Sequence, residues 1–245
     1  MLDNQNQIEG KNPVLEALRG DRDIEKILIS KDLDDGRTRQ IIAKARNKNI
    51  LVQRVDKRHL DNIAVSASHQ GVIAIVASYN YVDVDDILEN ASKGDAPPFI
   101  LILDEITDPH NFGAIIRTAE CSGVDGIIIP KHRSVGLTPT VVKASAGAVE
   151  HMMIAKVTNI ANTIDYIKEK GLWVAGADME GSVYTKENLD GPIALVIGSE
   201  GKGLGRLVKE KCDFLVKIPM EGKIQSLNAS VAAAVLMYEI VRQRG

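Results

Sequence analysis

Residues 193–205 read Ile-Ala-Leu-Val-Ile-Gly-Ser-Glu-Gly-Lys-Gly-Leu-Gly, an apolar run of five residues that passes directly into a glycine-rich turn. A continuous apolar run is typical of a strand that is buried on both faces of a parallel sheet. Helical patterns separate this run from four similar ones, Phe99–Leu103, Gly126–Ile129, Trp173–Ala175 and Phe214–Ile218. A long helix is predicted from about Leu227 to Arg242. The alternation predicts an α/β domain with a mostly parallel sheet.

Residues 1–77 carry a second, smaller alternation of strands and helices. Apolar runs predict three strands and periodic stretches predict two helices, in chain order Pro13–Leu18, Ile24–Ile29, Thr38–Arg46, Ile50–Val55 and Val72–Ala77. A segment of this size lies near the lower limit for an independent core. We therefore predict a small α/β domain over residues 1–77 and a larger one over residues 99–245.

The stretch between the two domains, residues 78–98, is acidic and closes with Gly94-Asp95-Ala96-Pro97-Pro98. A polar segment that ends in glycine and a proline pair predicts an inter-domain linker. The charge balance is +2 for residues 1–77, -4 for the linker and -1 for residues 99–245. The formal net charge of -3 by itself argues against a nucleic-acid partner. The excess negative charge lies in the linker, however, and binding depends on where the charges lie.

The composition excludes several classes of protein. With 44% hydrophobic and 26% charged residues, the chain is predicted to be globular. No apolar run approaches the roughly 20 residues of a membrane helix, and the first residues lack a signal-peptide pattern. Two cysteines are too few for a disulfide framework or a zinc cage, and the five histidines show no ligand spacing. These features predict a cytoplasmic protein that binds neither a metal nor a membrane.

Ligands of parallel α/β sheets bind where strands end, so the turns that follow strands are the candidate sites. Three such turns stand out. Residues 104–113 lead into a helix that carries Arg117, residues 198–205 form the glycine-rich turn, and residues 219–228 precede the terminal helix.

Taken singly, each turn has an ordinary structural interpretation. Asn111 is a plausible N-cap of a helix that begins near Phe112, with Arg117 on its surface, and Ser226 is a plausible N-cap of the terminal helix. The glycines at 198, 201, 203 and 205 suit a tight connection. They match neither a Walker loop nor G-x-G-x-x-G, and a dinucleotide fingerprint belongs in the first βα unit, which disfavours a nicotinamide-dependent oxidoreductase. Bare backbone groups could, however, approach a flat ligand such as adenine.

Taken together, the three turns carry a more specific pattern. Residues 111–117 read Asn-x-Gly-x-x-x-Arg, residues 198–203 read Gly-x-Glu-x-x-Gly, and residues 218–228 read Ile-Pro-Met and then Ser-Leu-Asn. In order and spacing they resemble the three motifs of the SpoU/TrmH (SPOUT) family of S-adenosylmethionine-dependent RNA 2′-O-methyltransferases. The resemblance covers essentially all of residues 99–245.

The first domain extends the resemblance. Residues 8–18, Ile-Glu-Gly-Lys-Asn-Pro-Val-Leu-Glu-Ala-Leu, and residues 69–72, His-Gln-Gly-Val, are similar to the small substrate-binding domain, akin to ribosomal protein L30e, of the larger family members. The whole chain most resembles the bacterial members that methylate a guanosine of 23S ribosomal RNA. The resemblance therefore implies an RNA partner.

The resemblance also implies a fold, an assembly and a cofactor site. The catalytic domain would be a trefoil-knotted α/β domain, and the protein a homodimer that packs the knot and the terminal helix together. S-adenosylmethionine would lie in the knot and be held mainly by backbone groups. The implied contacts are Gly198, Ile218 and Leu227, with Ile197, Gly201, Met220 and Asn228 nearby.

Family motifs place the chemistry on Arg117, Asn111, Glu200 and Asn228. A guanidinium has a pKa above about 12 and is a poor base, so Arg117 is expected to pair with a phosphate, position the ribose and stabilise alkoxide charge. Glu200 would accept the proton or hold Arg117, and a purely structural Glu200 stays open. Substrate contacts are expected from Ser226, Lys131 and Arg133 as well.

Two questions stay open on the sequence alone. The substrate could be a transfer RNA or another ribosomal site, and a non-catalytic RNA-binding or assembly factor of the same fold is the alternative function. Ten basic residues of the first domain are candidates for contact with RNA phosphates, Lys11, Arg19, Arg37, Arg39, Lys44, Arg46, Lys48, Arg54, Lys57 and Arg58.

Overall fold

The computed structural model describes residues 7–19, 24–65, 68–76 and 81–245. The chain divides into two compact units, residues 1–80 with 136–138 and residues 81–135 with 139–245. The amino-terminal residues that lack a signal-peptide pattern, and Ala77 of the last strand predicted in the first domain, lie outside the described residues. None of the helices in the described ranges has the length and apolar character that crossing a membrane requires.

In its described residues, the first unit contains a four-stranded sheet and three helices. Its elements are β1 (Gln7–Glu9), α1 (Lys11–Ala17), β2 (Ile24–Ser30), α2 (Gly36–Asn47), β3 (Leu51–Val55), α3 (Lys57–Ile63) and β4 (Val72–Val76). The strand order is β1-β4-β2-β3. β2 pairs with β3 in parallel, and β4 is antiparallel to both of its neighbours. Val14, Ile27, Ile41 and Val72, all fully buried, join the helices to the sheet.

The second unit is a six-stranded, all-parallel sheet flanked by helices. Its strands are β5 (Phe99–Leu103), β6 (Gly126–Pro130), β7 (Ile154–Val157), β8 (Trp173–Val183), β9 (Ile193–Ile197) and β10 (Phe214–Lys217). Its helices are α4 (Val84–Ala91), α5 (Pro109–Cys121), α6 (Pro139–Ala144), α7 (Ile160–Glu169), α8 (Arg206–Lys211) and α9 (Ala229–Arg244), with 3₁₀ turns at Ala148–Glu150 and Tyr184–Lys186. The predicted α/β class with a mostly parallel sheet is confirmed.

The strand order β10-β8-β9-β5-β6-β7 places β9 and β5 at the centre. All five residues of each central strand are buried, which explains why their sequences are continuously apolar. β8 has a bulge, because β10 pairs with Ala175 and Gly176 and then skips to Ser182 and Val183. Residues 177–181 therefore leave the regular ladder at the carboxyl end of the sheet.

Part of the acidic segment, residues 78–98, packs into the second unit. Its helix α4 begins with a capping box formed by Asp83 and Asp86. Ile87 of this helix is fully buried, and a Cβ at Gly126 would lie 2.5 Å from its side chain, so the close approach requires glycine there.

Candidate functional site

A cavity of about 770 Å³ opens beside the carboxyl ends of β8, β9 and β10. Its wall is formed by the bulge of β8, the glycine-rich turn after β9, residues of α8, the segment after β10 and the first turns of α9. These segments are far apart in the sequence, but the parallel sheet brings the ends of its neighbouring strands to one edge. The cavity is large enough for a ligand of nucleoside size.

The glycine-rich turn folds back on itself. Ser199 and Gly203 exchange two backbone hydrogen bonds, of 3.1 and 3.0 Å. A Cβ at Gly198 would lie 2.2 Å from the carbonyl carbon of Gly203, and Gly201 and Gly203 have φ values of 81° and 67°. Glycine is thus needed for close backbone approach at Gly198 and for left-handed backbone at the other two positions.

The structure brings most of the expected cofactor residues together. Six of the seven line the cavity, as does the expected substrate residue Ser226. They come from the end of β9, the glycine-rich turn and the segment after β10, and they are Ile197, Gly198, Gly201, Ile218, Met220 and Leu227. The seventh, Asn228, lies immediately before α9, next to this wall.

Three of the expected catalytic residues form a hydrogen-bonded network. Glu200 Oε1 accepts from Asn111 Nδ2 at 2.9 Å, from Asn228 Nδ2 at 2.6 Å and from the backbone N–H of Ala229 at 3.2 Å. The two asparagines are also joined directly, Asn228 Nδ2 to Asn111 Oδ1 at 2.9 Å. Within the described residues, Glu200 Oε2 has no hydrogen-bond donor. One carboxylate oxygen is fixed and the other is available to a ligand.

The helix caps differ from those suggested by the sequence. α5 begins at Pro109 and its N-cap is Asp108, whose carboxylate accepts from the Asn111 N–H at 2.8 Å. Proline at the first helical position favours this earlier start. Asn111 is therefore inside the first turn, and capping does not occupy its side chain.

The cap of the terminal helix is Asn228 in place of Ser226. Asn228 Oδ1 accepts from the Ser230 N–H at 3.0 Å and from the Val231 N–H at 3.4 Å. Asn228 thus uses its oxygen to start α9 and its nitrogen to bind Glu200. A single side chain couples the helix to the network.

Arg117 lies apart from this network. It is exposed on α5, and no residue in the described ranges forms an ion pair or a hydrogen bond with its guanidinium. The expectation that Glu200 holds Arg117 is therefore not met within one chain, where Glu200 binds the two asparagines. Gly113 of the same motif has a packing role, because a Cβ there would lie 2.4 Å from Ala144 Cβ of α6.

The expected substrate residues Lys131 and Arg133 follow β6, and neither is among the described residues that line the cavity. Arg133 forms a salt bridge with Glu105 at 3.1 Å, although its side chain is highly exposed. Both partners have left-handed backbone, with φ values of 61° and 59°. Lys131 is exposed, and its N–H extends the sheet by donating to Val157 O.

Sequence reasoning missed the polar residues that the bulge of β8 contributes. Lys209 Nζ of α8 lies 2.9 Å from Asp178 Oδ1 and 2.6 Å from Glu180 Oε2, and all three residues line the cavity. Hydrogen bonds from Lys209 to Glu180 and Asp178 raise the pKa of the lysine. The apolar residues that predicted this strand end at Ala175, so nothing in the sequence indicated that the strand continues through polar residues.

In the first unit, several of the ten candidate cations are already paired. Lys11 binds Asp35 and holds the pKa of that carboxyl at about 2, with help from the Thr38 N–H. Further pairs join Arg19 to Glu16 and Arg39 to Asp34, and Arg54 donates to backbone carbonyls. Arg37 and Lys44 of α2 form no ion pair with a described residue. No group of His, Cys, Asp and Glu in the described ranges could hold a metal ion.

Comparisons with known proteins identify the family of the chain. Residues 98–238 match the SpoU rRNA Methylase family, and residues 7–82 match the RNA 2′-O ribose methyltransferase substrate binding domain. A Bacillus subtilis protein, YacO, named as a candidate TrmH family tRNA/rRNA methyltransferase, is 51% identical over 100% of this chain and 98% of its own length.

Two solved structures are similar along nearly the whole chain. The SpoU methyltransferase AviRb from Streptomyces viridochromogenes, in complex with AdoMet, is 25% identical with a TM-score of 0.62 and covers 97% of this chain and 90% of its own. An AdoMet-bound rRNA methyltransferase from Sinorhizobium meliloti is 26% identical with a TM-score of 0.62, covering 97% and 87%. The chain belongs to the SpoU/TrmH family of RNA methyltransferases.

Proposed function

We propose that this protein transfers a methyl group from S-adenosylmethionine to the 2′-hydroxyl of a ribose in structured RNA. The observation that carries the proposal is the network in which Asn111 and Asn228 fix one oxygen of Glu200 at the wall of a nucleoside-sized cavity. A hydroxyl and a methyl donor must meet in line, and such a reaction needs a rigid acceptor for one proton.

The cavity fits the cofactor. Its wall combines backbone groups of the glycine-rich turn, which no Cβ obstructs, with the apolar side chains of Ile218, Met220 and Leu227. Backbone N–H and C=O groups with apolar neighbours suit an adenine ring. The bulge of β8 adds the ion cluster of Asp178, Glu180 and Lys209, which can bind the polar parts of the ligand.

The roles of the residues follow from their contacts. When bound, the cofactor supplies an electrophilic methyl group. Glu200 Oε2 is free to accept the proton of the attacking hydroxyl, while its Oε1 is held by three N–H donors. Arg117, exposed and unpaired within the described residues, is free to bind the phosphate beside the target ribose and to stabilise developing negative charge. Asn111 and Asn228 orient the carboxylate.

The RNA is proposed to contact the first unit through helix α2. This helix contains four basic residues and no acidic one. Arg37 and Lys44 lie seven residues apart, so they share one flank and are about 10.5 Å apart along the axis. Their charges are not compensated by an ion pair within the described residues, which makes them better phosphate ligands than Lys11, Arg19 or Arg39.

The preferred substrate is a guanosine of 23S ribosomal RNA, as the whole-chain resemblance suggests. Transfer RNA is the second candidate, because the name of the Bacillus subtilis relative includes both kinds of RNA. Lys131, Arg133 and Ser226 are proposed as further substrate contacts, and Arg133 would have to exchange its bond to Glu105 for one to RNA.

A homodimer is proposed as the working assembly. The terminal helix α9 exposes Val231, Tyr238 and Val241 by 47%, 51% and 37%, and an apolar face of this kind favours association with a second copy. Arg117 would then complete the site from the subunit boundary.

We also propose that the segments after β9 and β10 form the trefoil knot typical of the family, and that the protein acts in the cytoplasm.

The test is a methyl-transfer assay with labelled S-adenosylmethionine on unmodified 23S and transfer RNA, followed by mapping of the modified nucleotide. Incorporation at a single guanosine of 23S RNA supports the full proposal. A modified nucleotide in transfer RNA corrects the substrate only. Cofactor binding without transfer to either RNA favours the non-catalytic RNA-binding factor, and absence of cofactor binding rejects the enzyme.

A further inference from the structure

Asp104 connects the central strand β5 to both ends of the glycine-rich turn. Its backbone N–H donates to Ile197 O at 2.8 Å, at the residue just before the turn. Its carboxylate Oδ2 accepts from the Gly205 N–H at 2.8 Å, at the residue that closes the turn. The cavity-lining residues 198–204 lie between these two contacts, so one residue fixes the spacing of the ends of the turn.

The carboxylate of Asp104 makes this contact at an unfavourable free energy of burial. The residue is only 8% exposed, and burying a carboxylate costs free energy unless partners compensate. Within the described residues it has no salt bridge. Arg133, whose positive charge acts on Asp104, forms its salt bridge with Glu105 instead. A residue placed only for packing would not need this charge.

We propose that Asp104 is a positioning residue for cofactor binding, which holds Gly205 so that the backbone of residues 198–204 keeps the shape that the ligand requires. The inference rests on the proposed function, because it assumes that the cofactor lies against this turn. The exchange of hydrogen bonds between Ser199 and Gly203 shapes the turn internally, and the buried side chain of Leu204 anchors it by packing. Asp104 supplies the hydrogen bond from outside the turn.

The role has a pH signature. Burial raises the pKa of Asp104, and repulsion from Glu105 adds to this, while the Gly205 N–H and Arg133 act in the opposite direction. Lys202 and Arg206 line the adjoining pocket together with Asp104. The Cys212 thiol, on which the charges of Asp104 and Asp178 both act, stays neutral because its own pKa is about 12. As pH falls through the raised pKa, the charge-assisted bond to Gly205 is lost and cofactor affinity decreases.

Stability moves in the opposite direction. An acid whose pKa is higher in the folded than in the unfolded state destabilises the fold at neutral pH, and this cost disappears as pH falls through the raised pKa. Neutralising Asp104 should therefore not lower the melting temperature at neutral pH. A merely structural residue would lose stability and ligand affinity together.

The experiment measures the affinity of the full chain for S-adenosylmethionine by calorimetry from about pH 8 down to about pH 4, which is near the ordinary pKa of an aspartate. Asp104→Asn keeps a hydrogen-bond acceptor without the charge, and we expect its cofactor affinity at neutral pH to be about 5- to 10-fold lower than that of wild type. The affinity of this variant should also depend less on pH than that of wild type. Asp104→Ala should weaken binding further. In turnover with RNA, KM for the cofactor should rise while kcat at saturation is kept.

Asp125→Asn is the matched control. Asp125 is a partly buried carboxylate whose pKa burial also raises, and it accepts from the Phe99 N–H at 2.7 Å at the opposite end of β5. Its neutralisation should leave cofactor affinity unchanged.

Equal affinity of wild type and both Asp104 variants would overturn the inference while leaving the proposed function intact. Failure of the wild type to bind the cofactor would instead reject the function itself. If Asp104→Ala does not fold, the Asn variant and the wild-type pH profile still decide, because an unchanged Asn variant with an unaltered profile contradicts the role.

Discussion

The side-chain amide of Asn228 donates to Glu200 Oε1 at 2.6 Å, while its oxygen caps helix α9. The two functions can be separated by substitution. Asn228→Ser keeps a capping oxygen but removes the amide donor, so unfolding free energy should change by no more than about 0.5 kcal/mol while turnover falls at least about 10-fold. Asn228→Ala loses both and should cost about 1 kcal/mol of stability as well. Chemical denaturation and methyl transfer measure the two effects, and normal turnover in the serine variant would argue against a role for the contact.

Arg117→Ala should abolish turnover with almost no effect on cofactor binding. The guanidinium is exposed and has no partner within the described residues, so its loss leaves the fold and the cavity wall intact. We expect kcat to fall by at least about 100-fold, because the variant lacks the positive charge that we propose stabilises the oxyanion. Calorimetry should give a cofactor Kd close to that of wild type. Loss of cofactor affinity in this variant would mean that Arg117 belongs to the cofactor site instead.

Gly198→Ala should disrupt the cavity. The added Cβ would lie 2.2 Å from the backbone of Gly203, where no side-chain rotation can relieve the overlap. The turn must open, and cofactor affinity should fall by at least about 100-fold, equivalent to about 2.7 kcal/mol. Gly222→Ala is the control, because a Cβ there meets no atom within 4 Å. Similar losses in both variants would show that general flexibility, and not the fit at Gly198, matters.

Removing the uncompensated charges of α2 should weaken RNA binding and its dependence on salt. The double variant Arg37→Gln with Lys44→Gln is expected to reduce the slope of log K against log salt by about 1.4 to 1.8. This range corresponds to two lost phosphate contacts, at about 0.7 each on single strands and about 0.9 each on a duplex. The matched control is Arg19→Gln with Arg39→Gln, which removes two charges that Glu16 and Asp34 already neutralise. Equal slopes in the two double variants would place the RNA elsewhere.

The two cysteines should differ sharply in reactivity. Burial raises the pKa of Cys212 to about 12, whereas Cys121 is exposed. Because the thiolate is the nucleophile, alkylation of the native protein at about pH 8 should add one group, at Cys121, and alkylation in denaturant should add two. Mass spectrometry counts the adducts. Rapid labelling of Cys212 in the native protein would indicate that α8 opens readily.

The sequence predicts the strands that are distinct apolar runs, including the edge strands β3 and β10, and it misses two short edge strands. β5 and β9 have the predicted bounds because each is apolar throughout. β1 and β7 were missed, since each is an edge strand of three or four residues with half-buried positions. The second half of β8 was missed because residues 177–181 bulge out and carry polar side chains toward the cavity.

In the site, residues that belong to local motifs could be predicted, whereas contacts between distant parts of the chain could not. Motif resemblance identifies Asn111, Glu200 and Asn228, and the structure joins them. The role of Asp104 could not be predicted, because its partner Gly205 lies 101 residues further along the chain. The ion pair of Lys11 with Asp35 was equally unpredictable, because the two residues lie 24 positions apart, whereas Arg19 and Glu16 lie within one helical turn.

The position of α9 in the sequence determines when the cavity wall can be completed during synthesis. Ala229, Ala232 and Leu236 form part of the cavity wall, and Asn228 fixes Glu200. These residues are translated after every strand of the sheet. Arg244 at the end of the helix then binds the carbonyls of Pro97, Pro98 and Gly191, which precede the amino ends of β5 and β9. A nascent chain can therefore complete both sheets and still lack one wall of the proposed methyl-donor site until this helix has left the ribosome and docked.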